Sequence, residues 1–562
     1  MSDTTVPVAR PTSLRGVAIP LLLAVSLVYS LAAIFGTYRT YNHTSDEGAH
    51  IAAGVELLDA GTYDTEPKHP PIARIALGLG PWLLGADSKR ENLGLFFTEG
   101  NRILYETGDY WQILTAARLG NLPFFLLMLL ATWLIARRSF GAEVAACSVF
   151  FTATTPILIG NAAVATLDTA PVAFGLLALY AFLNWLDEPD RNNSVWLGLF
   201  SAAAILSKFS ALAFLVVTFA AILAWRFWLA RRHKAADAFL AGNHFTHLRL
   251  LIGAGLLVAW ASYGFRLTPL VDSDPETAPA GLIQVIAHAE IFPAFLKRVP
   301  VGLMQMAGFA RVGHPSFFLG EAGPGGWPHY YLVGLMVRTP LPLLGLGLAG
   351  FVMMIRTALR NADYAVAAPA LMFAAIMTFV SLTSSINIGV RHILIVYPLL
   401  AIGAGYCLFR ICSLVRFRVA ALAGALVMTA WQFAASVHAH PDQLVYFNLL
   451  AGRHPERILI NGDLDWGQDL ERLAAELRAR DVTSISLDYS GSADPVRHGI
   501  AGYKALPPGR PVTGWVAVSL FQHAWNHEGY AWLADYRPVA RVGKSIDLYY
   551  IPEATAGASG GS

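Results

Sequence analysis

The chain has 562 residues, 55% of them hydrophobic and 14% charged, against roughly 25% charged in an average soluble domain. With a mean hydropathy of +0.49, this excludes an ordinary soluble globule and points to one membrane domain plus one extra unit. A formal net charge of +2 gives no sign of a polyanion-binding surface, so nucleic acid is not an expected partner.

In chain order, Arg10 and Arg15 precede an apolar run from Val17 to Phe35. That is longer than the 7 to 15 or so apolar residues of a signal peptide, so a retained first helix is expected. Candidate spans follow near 113–136, 142–160, 167–186, 195–207, 210–229, 249–266, 331–355, 364–382, 391–410 and 418–437, giving about eleven with the first at 17–37. Cys147, Cys407 and Cys412 lie in or beside these runs without metal-ligand spacing and read as small apolar side chains.

Lys and Arg collect in loops that stay cytoplasmic. Counting from an inside N-terminus, one set of loops carries Arg137, Arg138, Arg191, Arg226, Arg231, Arg232, Lys234, Arg356, Arg360, Arg410, Arg416 and Arg418. The long loops 38–112 and 267–330, and everything after His438, then face out. The two short runs flanking Lys208 are the weakest point of this topology, because fusing them into one helix inverts everything downstream. After His440 the composition becomes mixed, with expected strands at Arg457–Ile460, Ser484–Tyr489, Gly514–Ser519 and Ile546–Ile551 and a helix near Leu470–Arg480. The division expected is a membrane domain over 1–438, a small extracytoplasmic α/β domain over 439–553 and a Gly/Ser/Ala-rich tail over 554–562.

Several polar constellations gather on the outer side. Asp46 and Glu47 lie just past the first span with His50 four residues from Asp46, which suits a base with an orienting or metal-binding partner. A capped interfacial helix with acids in its first turn fits the same residues. Asp168, between two apolar spans, either caps the helix starting near Pro171 or meets Asp46 and Glu47 through a shared cation or proton. Lys68, Lys208, Arg338 and Arg391 suit a lipid phosphate, although snorkelling accounts for any one of them. Asp463, Asp465 and Asp469 have a spacing that suits a hard cation but lack the Glu of a calcium loop, and a strand-to-helix turn with a packed Trp466 is the preferred account.

These motifs, in this order, resemble those of the polytopic glycosyltransferases that use polyprenyl-phosphate sugars, the group containing protein O-mannosyltransferases and the lipid A aminoarabinose transferase. Asp46-Glu47 with His50, Lys68-His69-Pro70-Pro71 and Leu167-Asp168 carry the likeness. Phe318-Leu319-Gly320-Glu321, Gly326-Trp327, Arg338-Thr339-Pro340, Ile388-Gly389-Val390-Arg391-His392 and Asp465-Trp466-Gly467-Gln468-Asp469 look like a bacterial subset. The resemblance implies a C-type glycosyltransferase fold in the cytoplasmic membrane and an inverting transfer of a monosaccharide from a polyprenyl phosphate to a hydroxyl of a protein, lipid or glycan. It implies Asp46, Glu47 and Asp168 as catalytic carboxylates, with Asp46 the base that deprotonates the acceptor hydroxyl, and Lys68, Lys208, Arg338 and Arg391 as donor-phosphate ligands. His50, His69 and His392 would contact substrate, and Glu47 with Asp168 would hold an optional divalent cation, Mg or Mn. A transporter or flippase of a lipid-linked or small polar substrate, and a noncatalytic membrane scaffold, are the competing classes; a transporter is expected to place its polar groups nearer the bilayer midplane.

Overall fold

The computed structural model describes residues 12–89, 94–233, 246–271, 286–383, 385–413 and 418–553. Arg10, Lys234, Arg416, the side chains of Arg15 and Arg418, part of the 267–330 loop and the 554–562 tail lie outside the described residues. Among the described residues seven helices are long and apolar enough to cross a bilayer: Val17–Thr37, Tyr110–Phe140, Thr169–Asp187, Ser210–Arg232, Leu341–Asn361, Tyr364–Thr383 and Val419–Ala439. The chain is thus a polytopic helical membrane protein.

The expected spans that differ do so for identifiable reasons. The run at 142–160 is two helices, Ala142–Ala153 and Pro156–Ala162, bent by 64°; Pro156 lacks the N–H that a continuous helix needs. The run at 331–355 breaks into Tyr330–Arg338 and Leu341–Asn361 at Thr339–Pro340, since the residue before proline is driven out of the helical region. Arg191–Ile205, Leu248–Ser262 and Val396–Cys412 are shorter helices. Arg191–Ile205 and Ser210–Arg232 stay separate, and the intervening turn carries Lys208.

The helices have distinct polar ends. At one end Arg138 bonds Asn184 at 2.8 Å and meets Asp187, and Arg226 donates to the Leu186 carbonyl at 2.9 Å and lies over Tyr364. Asp168 and Lys208 occupy the opposite ends of the Thr169–Asp187 and Ser210–Arg232 helices. At that second end the chain between the first two spans folds into helices Glu47–Asp59, Pro71–Leu83 and Phe96–Glu106. Described residues between 267 and 323 add the short antiparallel pairs β1 (Leu267–Thr268) with β2 (Phe292–Pro293) and β3 (Ser316–Phe318) with β4 (Glu321–Gly323), and the helix Phe295–Val312.

The C-terminal segment forms a mixed five-stranded sheet in the order β6-β5-β7-β9-β8. Its strands are β5 (Ile485–Asp488), β6 (Tyr503–Ala505), β7 (Gly514–Ser519), β8 (Ala540–Val542) and β9 (Ile546–Ile551), and the helix Leu470–Ala479 packs its Leu470, Leu473 and Leu477 onto them. Central β7 runs parallel to β5 and antiparallel to β9. The expected strand at Arg457–Ile460 is absent: a 3-10 turn over Pro455–Arg457 leads into a single bridge between Leu459 and Phe318. A separate apolar cluster joins this segment to the helices, with Ile460, Leu464, Trp466 and Leu520 packed on Tyr41, Val164, Phe317 and Leu444.

Candidate active site

The elements of the second end surround a cavity of about 740 Å³. Ser45, Asp46, His50, Lys68, His69, Asp168, Lys208, Arg391 and His392 line it, joined from the C-terminal segment by Asn461, Asp465, Trp466, Ser490 and Phe521. Phe96, Phe209, Phe214, Phe309 and Phe379 supply apolar wall. A narrower groove between the Thr169–Asp187 and Ser210–Arg232 helices and residues 391–395, lined by Pro171, Val172, Gly175, Leu215 and Ile395, reaches the same Asp168, Lys208 and Arg391.

Local sequence sets each polar group. Asp46 and Asp168 each stand at the N-terminus of a helix, yet neither side chain caps its own helix; both turn to cations instead. Arg391 Nη1 donates to Asp46 Oδ2 at 2.6 Å and lies 3.8 Å from Asp168 Oδ2, while Lys208 Nζ donates to Asp168 Oδ1 at 2.6 Å. Two carboxylates and two cations thus form one chain of charges along the cavity wall. Burial disfavours ionised Asp46, but Arg391, with His69 and Lys208, outweighs it and holds the carboxyl below its usual range. Asp46 keeps 32% of its side chain exposed.

Arg391 is presented by a 3-10 turn, Val390–Ile393, entered through Gly389 at φ 118°. Opposite lies Gly462 at φ 69°, where a Cβ would stand 2.4 Å from the Ile388 carbonyl. Left-handed backbone and close approach both require glycine here, and the contact brings Arg391 over the Trp466 ring at 4.0 Å. Arg391 Nε is buried without a hydrogen-bond partner.

The Lys68–His69 loop is anchored from behind. Buried Arg74 pairs with Glu66, donates to the Tyr63 hydroxyl at 2.9 Å and contacts His50 Nδ1 at 3.4 Å; Tyr63 in turn donates to the His69 carbonyl at 2.7 Å. Burial and nearby Lys208 push His69 down to about 4, and burial and Arg74 push His50 well below its usual value, so both imidazoles are neutral at physiological pH. Lys68 has no carboxylate partner among the described residues and lies 6.0 Å from the Phe96 and 5.5 Å from the Phe309 ring centroids.

Two expected ligands stand elsewhere. Glu47 turns away from Asp46 into the protein, where Oε1 accepts from Arg118 Nε at 2.8 Å and Ala165 N at 2.7 Å, and Oε2 accepts from Arg118 Nη2 at 2.8 Å and Thr44 N at 2.7 Å. Its oxygens are filled and it does not line the cavity, so it reaches neither a substrate nor a cation shared with Asp168. Burial opposes its charge, but Arg118 keeps its pKa lowered. Arg338 is likewise buried, donating to the Asp463 carbonyl at 2.6 Å and the Leu444 carbonyl at 2.7 Å, 3.4 Å from Asp463 Oδ1. It ties the Tyr330–Arg338 helix to the C-terminal segment instead of facing a phosphate.

A cation fits neither acidic set. Asp168 is paired with Lys208, and Asp463, Asp465 and Asp469 point to separate partners: Val390 N at 3.1 Å, Phe521 N at 2.9 Å and Ser545 Oγ at 2.8 Å. Among the described residues no group of three His, Cys, Asp or Glu side chains converges to hold a metal. Arg118, Arg74 and Glu66 were overlooked in the sequence. A charge inside an apolar run, as Arg118 is, was the available signal.

Residues 112–245, less than half of the chain, match the family described as dolichyl-phosphate-mannose-protein mannosyltransferase. No curated protein sequence matches. Among solved structures, ArnT from Cupriavidus metallidurans bound to undecaprenyl phosphate is 17% identical over 94% of this chain and 98% of that one, with a TM-score of 0.49. The oligosaccharyltransferase AglB from Archaeoglobus fulgidus, in complex with an inhibitory peptide and a dolichol phosphate, is 15% identical over 76% of this chain and 56% of that one, with a TM-score of 0.49. The protein O-mannosyltransferase Pmt1-Pmt2 complex of S. cerevisiae, bound to the sugar donor, is 11% identical over 77% of this chain and 90% of that one, with a TM-score of 0.53. With this last protein the chain shares its fold.

Proposed function

We propose that the chain is an inverting glycosyltransferase that moves a monosaccharide from a polyprenyl phosphate to a hydroxyl acceptor at the outer face of the cytoplasmic membrane. The observation that carries this reading is the convergence of Asp46, Lys68, Asp168, Lys208 and Arg391, from five separate elements, on one cavity that is aromatic-walled and continuous with an apolar groove. The family match over 112–245 and the fold shared with the S. cerevisiae O-mannosyltransferase support it. So does the opposite-end cluster of Arg138, Asp187 and Arg226, which agrees with the charge count that puts the N-terminus inside. In this topology the seven long spans, the bent pair and the three shorter helices make eleven crossings, and the five-stranded sheet forms a small domain outside the membrane.

The donor's lipid lies in the apolar groove and its phosphate meets Arg391, Lys208 and Lys68, where an arginine fork and two ammonium groups match phosphate oxygens. In doing so the phosphate competes with Asp46 for Arg391. Losing that cation raises the proton affinity of Asp46, so donor binding turns a masked carboxylate into a base. The acceptor oxygen then attacks the anomeric carbon, its proton passes to Asp46, and the sugar–phosphate C–O bond breaks with its electron pair leaving on the lipid phosphate. The cations stabilise that developing charge. His50, His69 and His392, on the same cavity, orient hydroxyls, and Asp168 holds Lys208 and Arg391 in place.

The test is transfer of radiolabelled sugar, in proteoliposomes, from a panel of polyprenyl-phosphate monosaccharides to a cell-envelope extract or to water. Cleavage of one donor by the wild type, lost in Asp46→Asn, is the expected result. No turnover of any donor by folded protein would overturn the reading in favour of transport or a scaffold.

A further inference from the structure

Four carboxylates line the cavity, and three are neutralised: Asp46 by Arg391, Asp168 by Lys208 and Glu66 by Arg74. The fourth, Asp465, has no ion pair among the described residues. It is 2% exposed and its carboxylate is held by neutral donors, Oδ2 accepting from Phe521 N at 2.9 Å and Oδ1 from Gly467 N at 3.2 Å, with the Ser519 hydroxyl as a third partner. A carboxylate offers about four acceptor sites, so these three donors leave one open in a group whose orientation is already fixed. Burial pushes its pKa up to about 7, as expected for a carboxylate without a nearby cation.

Its position indicates what that site receives. Asp465 is followed by Trp466, whose ring lies under Arg391 at 4.0 Å, and it lines the same cavity as the guanidinium assigned to the donor phosphate. The group attached to that phosphate is the sugar. Asn461 and Ser490 line the cavity from the same segment, adding neutral polar side chains beside the acid.

We infer that the C-terminal segment carries the sugar subsite, in which the Asp465 carboxylate, with Asn461 and Ser490, accepts and orients hydroxyl groups of the monosaccharide on the donor phosphate. This rests on the reading above and adds to it a specificity-determining residue outside the membrane helices. A buried acceptor left unpaired is costly, so such a subsite discriminates against donors that lack the bound hydroxyl.

The experiment measures binding and turnover separately, on the full chain in proteoliposomes. Binding is read as the affinity ratio between an undecaprenyl-phosphate monosaccharide and undecaprenyl phosphate alone. The wild type is expected to favour the sugar-bearing lipid about tenfold, and Asp465→Asn to bring the ratio close to one while its affinity for undecaprenyl phosphate and its melting temperature stay unchanged. In donor hydrolysis, with water as acceptor, the same variant raises KM about tenfold with a smaller change in kcat. Deoxy-donors lacking the recognised hydroxyl are then hydrolysed alike by variant and wild type. Ser490→Ala and Asn461→Ala, which leave the backbone cap of Asp465 intact, shift the ratio in the same direction and decide the matter if Asp465→Asn does not fold.

An unchanged affinity ratio in all folded variants overturns the subsite, as does a loss of kcat that tracks a lower melting temperature. Normal hydrolysis with impaired transfer to the extract overturns it too, since the bound hydroxyl would then be the acceptor's. If the wild type binds the sugar-bearing lipid selectively but cleaves no donor, the subsite stands and the transferase reading fails.

Discussion

Two ion-pair regions lie side by side in this protein and start from adjacent residues. In the Glu47–Arg118 knot every carboxylate oxygen accepts twice, and Arg118 spends its remaining N–H groups on the carbonyls of Tyr38, Tyr41 and Asn42 at 2.6, 3.1 and 3.2 Å. In the Asp46–Arg391–Asp168–Lys208 chain, Asp46 is partly exposed, the Arg391–Asp168 contact is 3.8 Å and Arg391 Nε is unpartnered. The first region is closed to any ligand and fixes the backbone; the second has slack that a ligand can take up. Between these two regions the filled valences go with scaffold and the unfilled ones with the cavity, since leaving a buried polar group unsatisfied is costly.

The largest effect that probes this contrast is Asp46→Asn, expected to lower transfer about 10²- to 10⁴-fold, the usual contribution of a general base, while leaving the melting temperature unchanged. A loss below tenfold would remove Asp46 from the chemistry. Its neighbour should behave in the opposite way: Glu47→Gln leaves Arg118 buried and unpaired and is expected to cost about 3–5 kcal/mol of stability, read from unfolding in detergent. If Glu47→Gln melted like the wild type but lost turnover selectively, the scaffold assignment would be wrong.

Smaller changes sharpen the comparison within the site. Lys68→Met removes a cation that has no carboxylate partner, so stability should hold while kcat/KM falls about tenfold, or about 1.4 kcal/mol. An unchanged kcat/KM would take Lys68 out of phosphate binding. The finest test is the pH profile. With Arg391 present the Asp46 carboxyl titrates below its usual range, so the acid limb of kcat/KM lies on the acid side of an ordinary aspartate. In Arg391→Gln burial is opposed only by the weaker pull of His69 and Lys208, the pKa rises, and the acid limb of the residual activity should move to higher pH. A limb that stayed in place would assign it to another group.

The charges that stand in apolar surroundings were readable without coordinates. An aspartate, lysine or arginine beside a bilayer span is expensive unless it has work to do, and Asp46, Lys68, Asp168, Lys208 and Arg391 all line the cavity. The strands at Gly514–Ser519 and Ile546–Ile551 form at the residues their β-branched and aromatic content suggested. Strand Tyr503–Ala505 was not readable, since all three of its residues are exposed and leave no alternation to detect.

By itself, then, the amino-acid sequence determined that the chain is a helical membrane protein and that its unusual charges gather at one face, because hydropathy and the cost of burying charge act locally along the chain. Only the tertiary structure decided which of two adjacent acids faces the cavity, that Arg338 binds carbonyls, and that Asp465 lines the same cavity as Asp46, more than four hundred residues before it. Those outcomes depend on which partners the fold brings within about 3 Å of a side chain, the range in which a hydrogen bond forms, and spacing along the chain does not encode it.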